Sequence, residues 1–106
     1  MTLHCLAQVV LSCDGPVVLD APILFTGELR GGDRDPEREY RWRWFDTASP
    51  GHYKEVETNG TVANTSYQIV YTSKEYDAAT YEMTLTIYVF EYFYWKEVGK
   101  AQVEFT

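Results

Sequence analysis

Strict alternation of apolar and polar residues is the feature of this sequence that most constrains its fold. It is clearest over residues 81–89 (YEMTLTIYV), where Glu82, Thr84 and Thr86 separate apolar neighbours. Successive side chains of a β-strand point to opposite faces, so the pattern predicts an antiparallel strand with one buried and one solvated face. The side chains predicted to be buried are Tyr81, Met83, Leu85, Ile87 and Val89.

A second alternating segment, residues 40–46 (YRWRWFD), places Trp42 and Trp44 on one face and Arg41 and Arg43 on the other. Large aromatic side chains dominate core burial, so we expect both tryptophans in the core rather than against a ligand. The arginines should then point outward and pair with acidic residues of the same sheet. Two residues of the 81–89 strand are expected beside Trp42: Met83 and Leu85.

Similar short segments follow one another along the whole chain, separated by turn residues, and almost none has a helical period. About seven such strands predict an all-β fold, an antiparallel β-sandwich of two sheets. A chain of 106 residues has the size of one domain, so a single domain over residues 1–106 is expected.

Charge and hydropathy exclude several partners. The chain has 16 acidic residues against 9 Lys and Arg, a net charge of -7, and an acidic surface repels phosphate backbones. We therefore predict that it does not bind nucleic acid. No apolar run approaches the roughly 18 residues of a membrane span, so no span is expected within this segment.

No group of residues indicates catalysis, a cofactor or a metal. His4 and His52 accompany no nucleophile motif, and no glycine-rich phosphate loop is present. The acidic segment 30–39 (RGGDRDPERE) invites a calcium site, but it lacks the ligand order of an EF-hand. Its arginines neutralise part of the charge, so a solvated loop is the better interpretation. The sequence predicts a protein that is not an enzyme.

The two cysteines, Cys5 and Cys13, leave their redox state open. Along a straight strand they would lie about 26 Å apart at ~3.3 Å per residue, far beyond bridging distance. Two free thiols are favoured, while a disulfide would require a sharp bend or another partner.

Two sequons, Asn59-Gly60-Thr61 and Asn64-Thr65-Ser66, fall in one polar stretch. Glycosylation needs an accessible asparagine, so Asn59 and Asn64 are candidate glycan sites. The alternative is that Asn-Gly marks only a tight turn.

The segment 88–97 (YVFEYFYWKE) has more aromatic residues than a small core needs. The rings are Phe90, Tyr92, Phe93, Tyr94 and Trp95, and the next turn residue is Gly99. Either the last two strands extend as a long hairpin, or these rings cover one end of the sandwich. Alternation would turn residues 90, 92 and 94 one way and residues 93 and 95 the other. We predict that part of this set forms an exposed interaction patch, the alternative being a satellite core.

Four stretches together resemble a PKD (polycystic kidney disease) domain, an immunoglobulin-like β-sandwich. They are DGPVVLDAPILFTGEL (14–29), YRWRWFD (40–46), YDAATYEMTLTIYV (76–89) and KAQVEF (100–105). Two turns depart from the family pattern: Gly-Asp-Gly is replaced by Phe45-Asp46-Thr47, and Pro-Gly by Ala78-Ala79. The chain thus resembles a divergent member, nearer to the PKD-like domains of single-pass membrane glycoproteins.

This resemblance implies a module of the cell surface, the extracellular space or the secretory-pathway lumen. We expect a non-enzymatic role in protein–protein contact or in spacing domains within a larger glycoprotein. One alternative is a carbohydrate-binding module that uses the rings of residues 92–95. The other is a self-assembling matrix fragment, in which an exposed strand edge adds to its neighbour.

Overall fold

A computed structural model describes residues 8–31, 35–46, 53–72 and 81–105. These residues form seven β-strands, and none of the described ranges contains a helix. The strands are β1 (Gln8–Cys13), β2 (Pro22–Arg30), β3 (Glu39–Asp46), β4 (Tyr53–Asn59), β5 (Asn64–Val70), β6 (Tyr81–Glu91) and β7 (Tyr94–Phe105).

The strands form two sheets, one of three strands in the order β1-β2-β5 and one of four in the order β4-β3-β6-β7. Every neighbouring pair is antiparallel. The predicted fold class, an all-β protein of about seven strands in two antiparallel sheets, is confirmed. The chain changes sheet after β2, β4 and β5, because β5 returns to the sheet of β1 and β2 between two hairpins of the other sheet.

The position of β4 distinguishes this topology from a constant-type immunoglobulin sandwich. In that arrangement the fourth strand joins the sheet of the first, second and fifth strands. Here β4 pairs with β3 in the other sheet, with Trp42 opposite Val56. As a result, β5 ends the three-stranded sheet among the described residues.

The inward faces of β3 and β6 form the centre of the core. Trp42, Trp44, Met83, Leu85 and Ile87 are all fully buried. The residue directly opposite Trp42 is Ile87, whereas Leu85 lies opposite Trp44 and Met83 opposite Asp46. The side chain of Tyr81, also predicted to be in the core, is outside the described part of the structure.

Two further features close the core. Gly27 of β2 faces Leu85 and Trp44, and a Cβ at position 27 would overlap the Leu85 side chain, so the two sheets approach closely here. At the end of β3, Asp46 is fully buried and accepts a 2.9 Å hydrogen bond from the Tyr71 hydroxyl. A buried carboxylate requires such a partner, and the bond ties β3 to the segment that follows β5.

Candidate functional site: the hairpin tip and the aromatic face

The β6–β7 hairpin ends in a two-residue loop made of Tyr92 and Phe93, here called the hairpin tip. Both residues have positive φ, 51° and 68°, and Glu91 pairs with Tyr94 on either side of them. Two consecutive positive φ values identify a type I′ turn, which usually contains Asn-Gly. An L-residue in this conformation costs roughly 1–2 kcal/mol because its Cβ crowds the following carbonyl. Two aromatic residues are therefore held in backbone conformations that they do not favour.

This turn corrects the expected facing of the aromatic segment. The sequence shows no turn residue before Gly99, and continuous alternation placed Phe90 and Trp95 on opposite faces. Because the chain reverses at the hairpin tip, Phe90 and Trp95 are instead opposite each other on adjacent strands. Their ring centroids are 5.1 Å apart. Gly99 lies within β7, next to a shift in register that brings Ile87 opposite Gly99.

The rings of the hairpin tip are the most exposed aromatic side chains in the described structure. Phe93 is 96% exposed and Tyr92 77%, followed by Tyr94 at 52%. Next to the hairpin tip, Phe90 is 37% exposed and Trp95 is half-buried. The tip therefore contributes almost nothing to the core.

The outer face of the four-stranded sheet continues this aromatic surface. Alternation brings side chains from all four strands to this face, and we call the following set the aromatic face: Arg41, Arg43, Phe45, Tyr53, Tyr88, Phe90 and Trp95. Phe45 and Tyr53 are opposite each other and are 40% and 47% exposed. The face thus runs from the hairpin tip across to the edge strand β4.

Arg41 lies near the middle of the aromatic face and is held from both sides. Its guanidinium carbon is 4.1 Å from the centroid of the Trp95 ring. Its nitrogens lie 3.0 Å from a Glu55 oxygen and 2.8 Å from a Glu57 oxygen. Cation–π stacking and a two-carboxylate ion pair together restrict this side chain to one orientation.

Arg43 repeats the arrangement one row further along the sheet. Its guanidinium lies 5.0 Å from the Tyr88 ring and forms an ion pair with Glu55 at 3.2 Å. The predicted pairing of outward arginines with acidic residues of the same sheet is confirmed. Exposed pairs of this kind contribute little stability, so their main effect is to fix where the charges lie.

Glu55 also accepts a short hydrogen bond from the Tyr53 hydroxyl. This bond, followed by the interactions with Arg43 and Arg41, lowers the pKa of the Glu55 carboxyl below its usual value. The same bond raises the pKa of Tyr53, because ionised tyrosine would face the carboxylate. Glu55 therefore stays charged and links the two arginine rows at neutral pH.

A cleft of about 280 Å³ lies close to the hairpin tip, between residues 35–38 and the adjoining parts of β6 and β7. Arg38 bridges its walls: it forms an ion pair with Asp35 at 3.2 Å and donates a 3.4 Å hydrogen bond to the Phe90 carbonyl. Its guanidinium is 5.9 Å from the Tyr92 ring. These contacts fasten the hairpin to the acidic loop. Asp33 of that loop is outside the described residues, and among those described no group of His, Cys, Asp and Glu could hold a metal ion.

Both predicted glycan sites are exposed. Asn59 is the last residue of β4 and Asn64 the first of β5, so the sequons flank the connection between the two sheets. The Asn59 side chain accepts a 3.0 Å hydrogen bond from the Thr61 amide. Asn59 and Gly60 do lie in a tight turn, in which the Val62 amide donates a 3.3 Å hydrogen bond to the Asn59 carbonyl. This turn is not a hairpin, because β4 and β5 belong to different sheets.

Cys13 is half-buried on β1, and its thiol is free. Its Sγ lies 3.6 Å from the Gly15 carbonyl oxygen. Cys5 is outside the described residues, so the prediction about its thiol is not addressed.

Of the five residues of the predicted patch, Phe90 and Trp95 lie on the aromatic face and Tyr92 and Phe93 form the hairpin tip, whereas Tyr94, opposite Glu91, lies on the other face of the hairpin. The aromatic face also includes residues that sequence reasoning did not assign to the patch. The additions are Arg41, Arg43, Phe45, Tyr53 and Tyr88. The sequence itself indicated part of this set: residues 41, 43 and 45 alternate with the buried tryptophans, so their side chains must share the outer face. Pairing of β3 with β6 was needed to bring Tyr88 beside them.

Comparison with known proteins adds no family assignment. No family model matches the sequence, and no curated protein matches it significantly. Within the four described ranges, no helix has the length and apolar character needed to cross a membrane. The resemblance to PKD domains thus remains a prediction made from the sequence.

Proposed function

We propose that this domain is a non-enzymatic extracellular or lumenal module whose hairpin tip and aromatic face bind another protein. The observation that carries the proposal is the state of Tyr92 and Phe93. Both rings are directed into solvent, and both residues adopt left-handed backbone conformations. A fold that needed only a tight turn here would be better served by Asn-Gly.

The exposure of the rings and the strain of their backbone both indicate a binding role for the hairpin tip. Burial of the rings does not offset the conformational penalty, since Phe93 is 96% exposed. Strained residues persist where the surrounding structure holds them, and they cluster at binding sites. Exposed tyrosine and tryptophan, together with arginine, are the side chains that most often anchor protein interfaces.

The aromatic face is preorganised for such a contact. Arg41 and Arg43 are already held by Glu55 and by the rings of Trp95 and Tyr88, so little side-chain entropy remains to be lost on binding. Their charges are balanced by carboxylates, which favours a protein partner over a polyanion.

The carbohydrate alternative has weaker support. A sugar stacks on the open face of an aromatic ring, and the Arg41 guanidinium already covers one face of Trp95 at 4.1 Å. The exposed positions of Asn59 and Asn64 agree with a secreted or lumenal setting, as does the resemblance to PKD domains. In that setting the domain would also space its neighbours within a larger glycoprotein.

The test is a binding screen of the multimerised domain against arrays of secreted and cell-surface ectodomains and of glycans. Replacing the tip by Tyr92→Asn/Phe93→Gly should reduce ectodomain binding at least tenfold while the domain stays folded. Leu24→Thr, on the outer face of the other sheet, is the matched control and should bind like the wild type. Undiminished binding by the tip variant would contradict the proposal. Glycan binding that is lost in Trp95→Ala would favour the carbohydrate alternative.

A further inference from the structure

The free edge of β5 is a second candidate interaction surface, independent of the aromatic face. β5 pairs with β2 on one side, and within the described ranges no strand pairs with its other side. This is the position that the fourth strand occupies in a constant-type immunoglobulin sandwich. Since β4 joined the opposite sheet, that position is left to solvent among the described residues.

The alternation of hydrogen-bonded and non-hydrogen-bonded pairs between β5 and β2 shows which backbone groups of β5 face the free edge. The Leu29 amide donates to the Ala63 carbonyl at 2.9 Å, and alternate residues from there, including Thr65 and Tyr67, exchange bonds with β2. The backbone groups of Ser66 and Gln68 therefore point away from β2 and toward the free edge.

β4 overhangs this free edge from the other sheet. Lys54 points inward from β4, and its Nζ donates to the Ser66 carbonyl at 3.1 Å, with the Tyr67 ring 5.4 Å away. Val56, the next inward residue of β4, is only half-buried. An inward side chain of an edge strand stays half-buried where the opposite sheet stops short, which is the case beneath β4.

Apart from the Lys54 contact with the Ser66 carbonyl, β5 itself lacks the usual protection of an exposed edge. Its sequence, NTSYQIV, contains neither a charged residue nor proline, although 24% of the whole chain is charged. Natural edge strands normally carry charges, prolines or bulges that prevent pairing with another strand. β1, the other edge of this sheet, is uncharged as well, so only residues of β5 and Lys54 distinguish the two edges.

We propose that β5 accepts an extended segment of another polypeptide as a fourth strand. This strand lies in the vacant position beside β5 and beneath β4, and it completes a sandwich of four strands on four. The backbone of the added strand forms hydrogen bonds with Ser66 and Gln68, and one of its apolar side chains covers Val56. A carboxylate on the same face of the added strand pairs with Lys54, whose ammonium group then leaves the Ser66 carbonyl. Strand addition to an exposed edge is a common mode of peptide recognition, with alternate side chains giving specificity.

The probe is a short alternating threonine–valine peptide with one central glutamate on the valine face. NMR amide shifts and hydrogen exchange are followed in the bacterially expressed domain, so that Asn64 has no glycan. In the free domain, the Ser66 and Gln68 amides should exchange at least tenfold faster than those of Thr65 and Tyr67. Addition of the peptide should protect Ser66 and Gln68 selectively.

Two variants and one altered peptide separate this mode from unspecific binding. Gln68→Pro removes only an edge-facing amide and should abolish binding while the pairing with β2 persists. A peptide with lysine in place of the glutamate should bind at least tenfold more weakly, and Lys54→Met should remove this preference. Lys100→Met, on the exposed face of β7, is the charge control and should retain it. Slow exchange at Ser66 and Gln68 in the free domain, or shifts confined to other strands, would overturn the proposal.

Discussion

Replacing the hairpin tip with Asn-Gly should make the domain more stable, although it removes two large aromatic side chains. Tyr92 and Phe93 have φ of 51° and 68°, a conformation that asparagine tolerates and glycine adopts freely. In most proteins the loss of two aromatic rings is destabilising. The opposite sign is expected here because these rings are not packed against the core.

The magnitude follows from three contributions. Left-handed φ costs roughly 1–2 kcal/mol per L-residue. The more flexible unfolded state of glycine offsets about 0.4–1 kcal/mol of the gain at position 93. The exposed contact between Arg38 and Tyr92, 5.9 Å from guanidinium to ring, is worth at most about 0.5–1 kcal/mol. We expect Tyr92→Asn/Phe93→Gly to raise the free energy of unfolding by about 1 kcal/mol, or Tm by roughly 4–8 °C.

Urea and thermal unfolding monitored by tryptophan fluorescence and circular dichroism measure this difference. Tyr92→Ala/Phe93→Ala is the matched control, because it removes both rings but keeps a Cβ at each strained position. Its free energy of unfolding should fall below that of the wild type by no more than the lost contact between Arg38 and Tyr92, about 0.5–1 kcal/mol. If the Asn-Gly variant were no more stable than the Ala-Ala variant, the tip would not be strained, and the argument that function maintains it would fail.

Three further predictions concern the core, the glycan sites and the ion-pair cluster. Trp42→Ala should lower the free energy of unfolding by about 3–5 kcal/mol, because Trp42 is fully buried, and a urea titration with an unchanged midpoint would contradict its role in the core. Expression through a eukaryotic secretory pathway should add glycan at Asn59 or Asn64, seen as a mass increase that Asn→Gln variants abolish; an intact mass without carbohydrate would argue against a secreted setting. The folded-state pKa of Glu55 is lowered, so its contribution to stability should be complete above the ordinary glutamate pKa of about 4.3 and decline as pH falls through the folded value. Glu55→Gln should flatten that part of the stability–pH curve, and an unchanged curve would show that the bond to Tyr53 does not form in solution.

Sequence periodicity was sufficient for the fold class and for the inward faces of β3 and β6. Trp42, Trp44 and Leu85 are buried because alternation within a strand is a local property that the sequence displays directly. The same rule placed Arg41 and Arg43 outside. The separation of β4 from β5 into different sheets, by contrast, depends on how whole strands pack.

The hairpin tip could not be found from the sequence for a specific physical reason. Turn prediction relies on residues that adopt positive φ without strain, such as Gly and Asn, and Tyr92 and Phe93 are neither. Because no turn was recognised at residues 92 and 93, the alternation of β6 was continued past residue 91. This continuation predicted that Phe90 and Trp95 lie on opposite faces. Once the chain reverses, both join the aromatic face, and Arg41 becomes the neighbour of Trp95.

The most direct test of the proposed contact is photo-crosslinking from the hairpin tip to an ectodomain that the domain binds in the array. A photoreactive phenylalanine analogue at position 93 replaces a side chain that is 96% exposed. The same analogue at position 24, on the outer face of the opposite sheet, serves as the control. We predict a covalent adduct with the ectodomain from position 93 and little or none from position 24. An adduct from position 24 alone, or binding without any adduct from position 93, would contradict the proposal that the hairpin tip forms the contact.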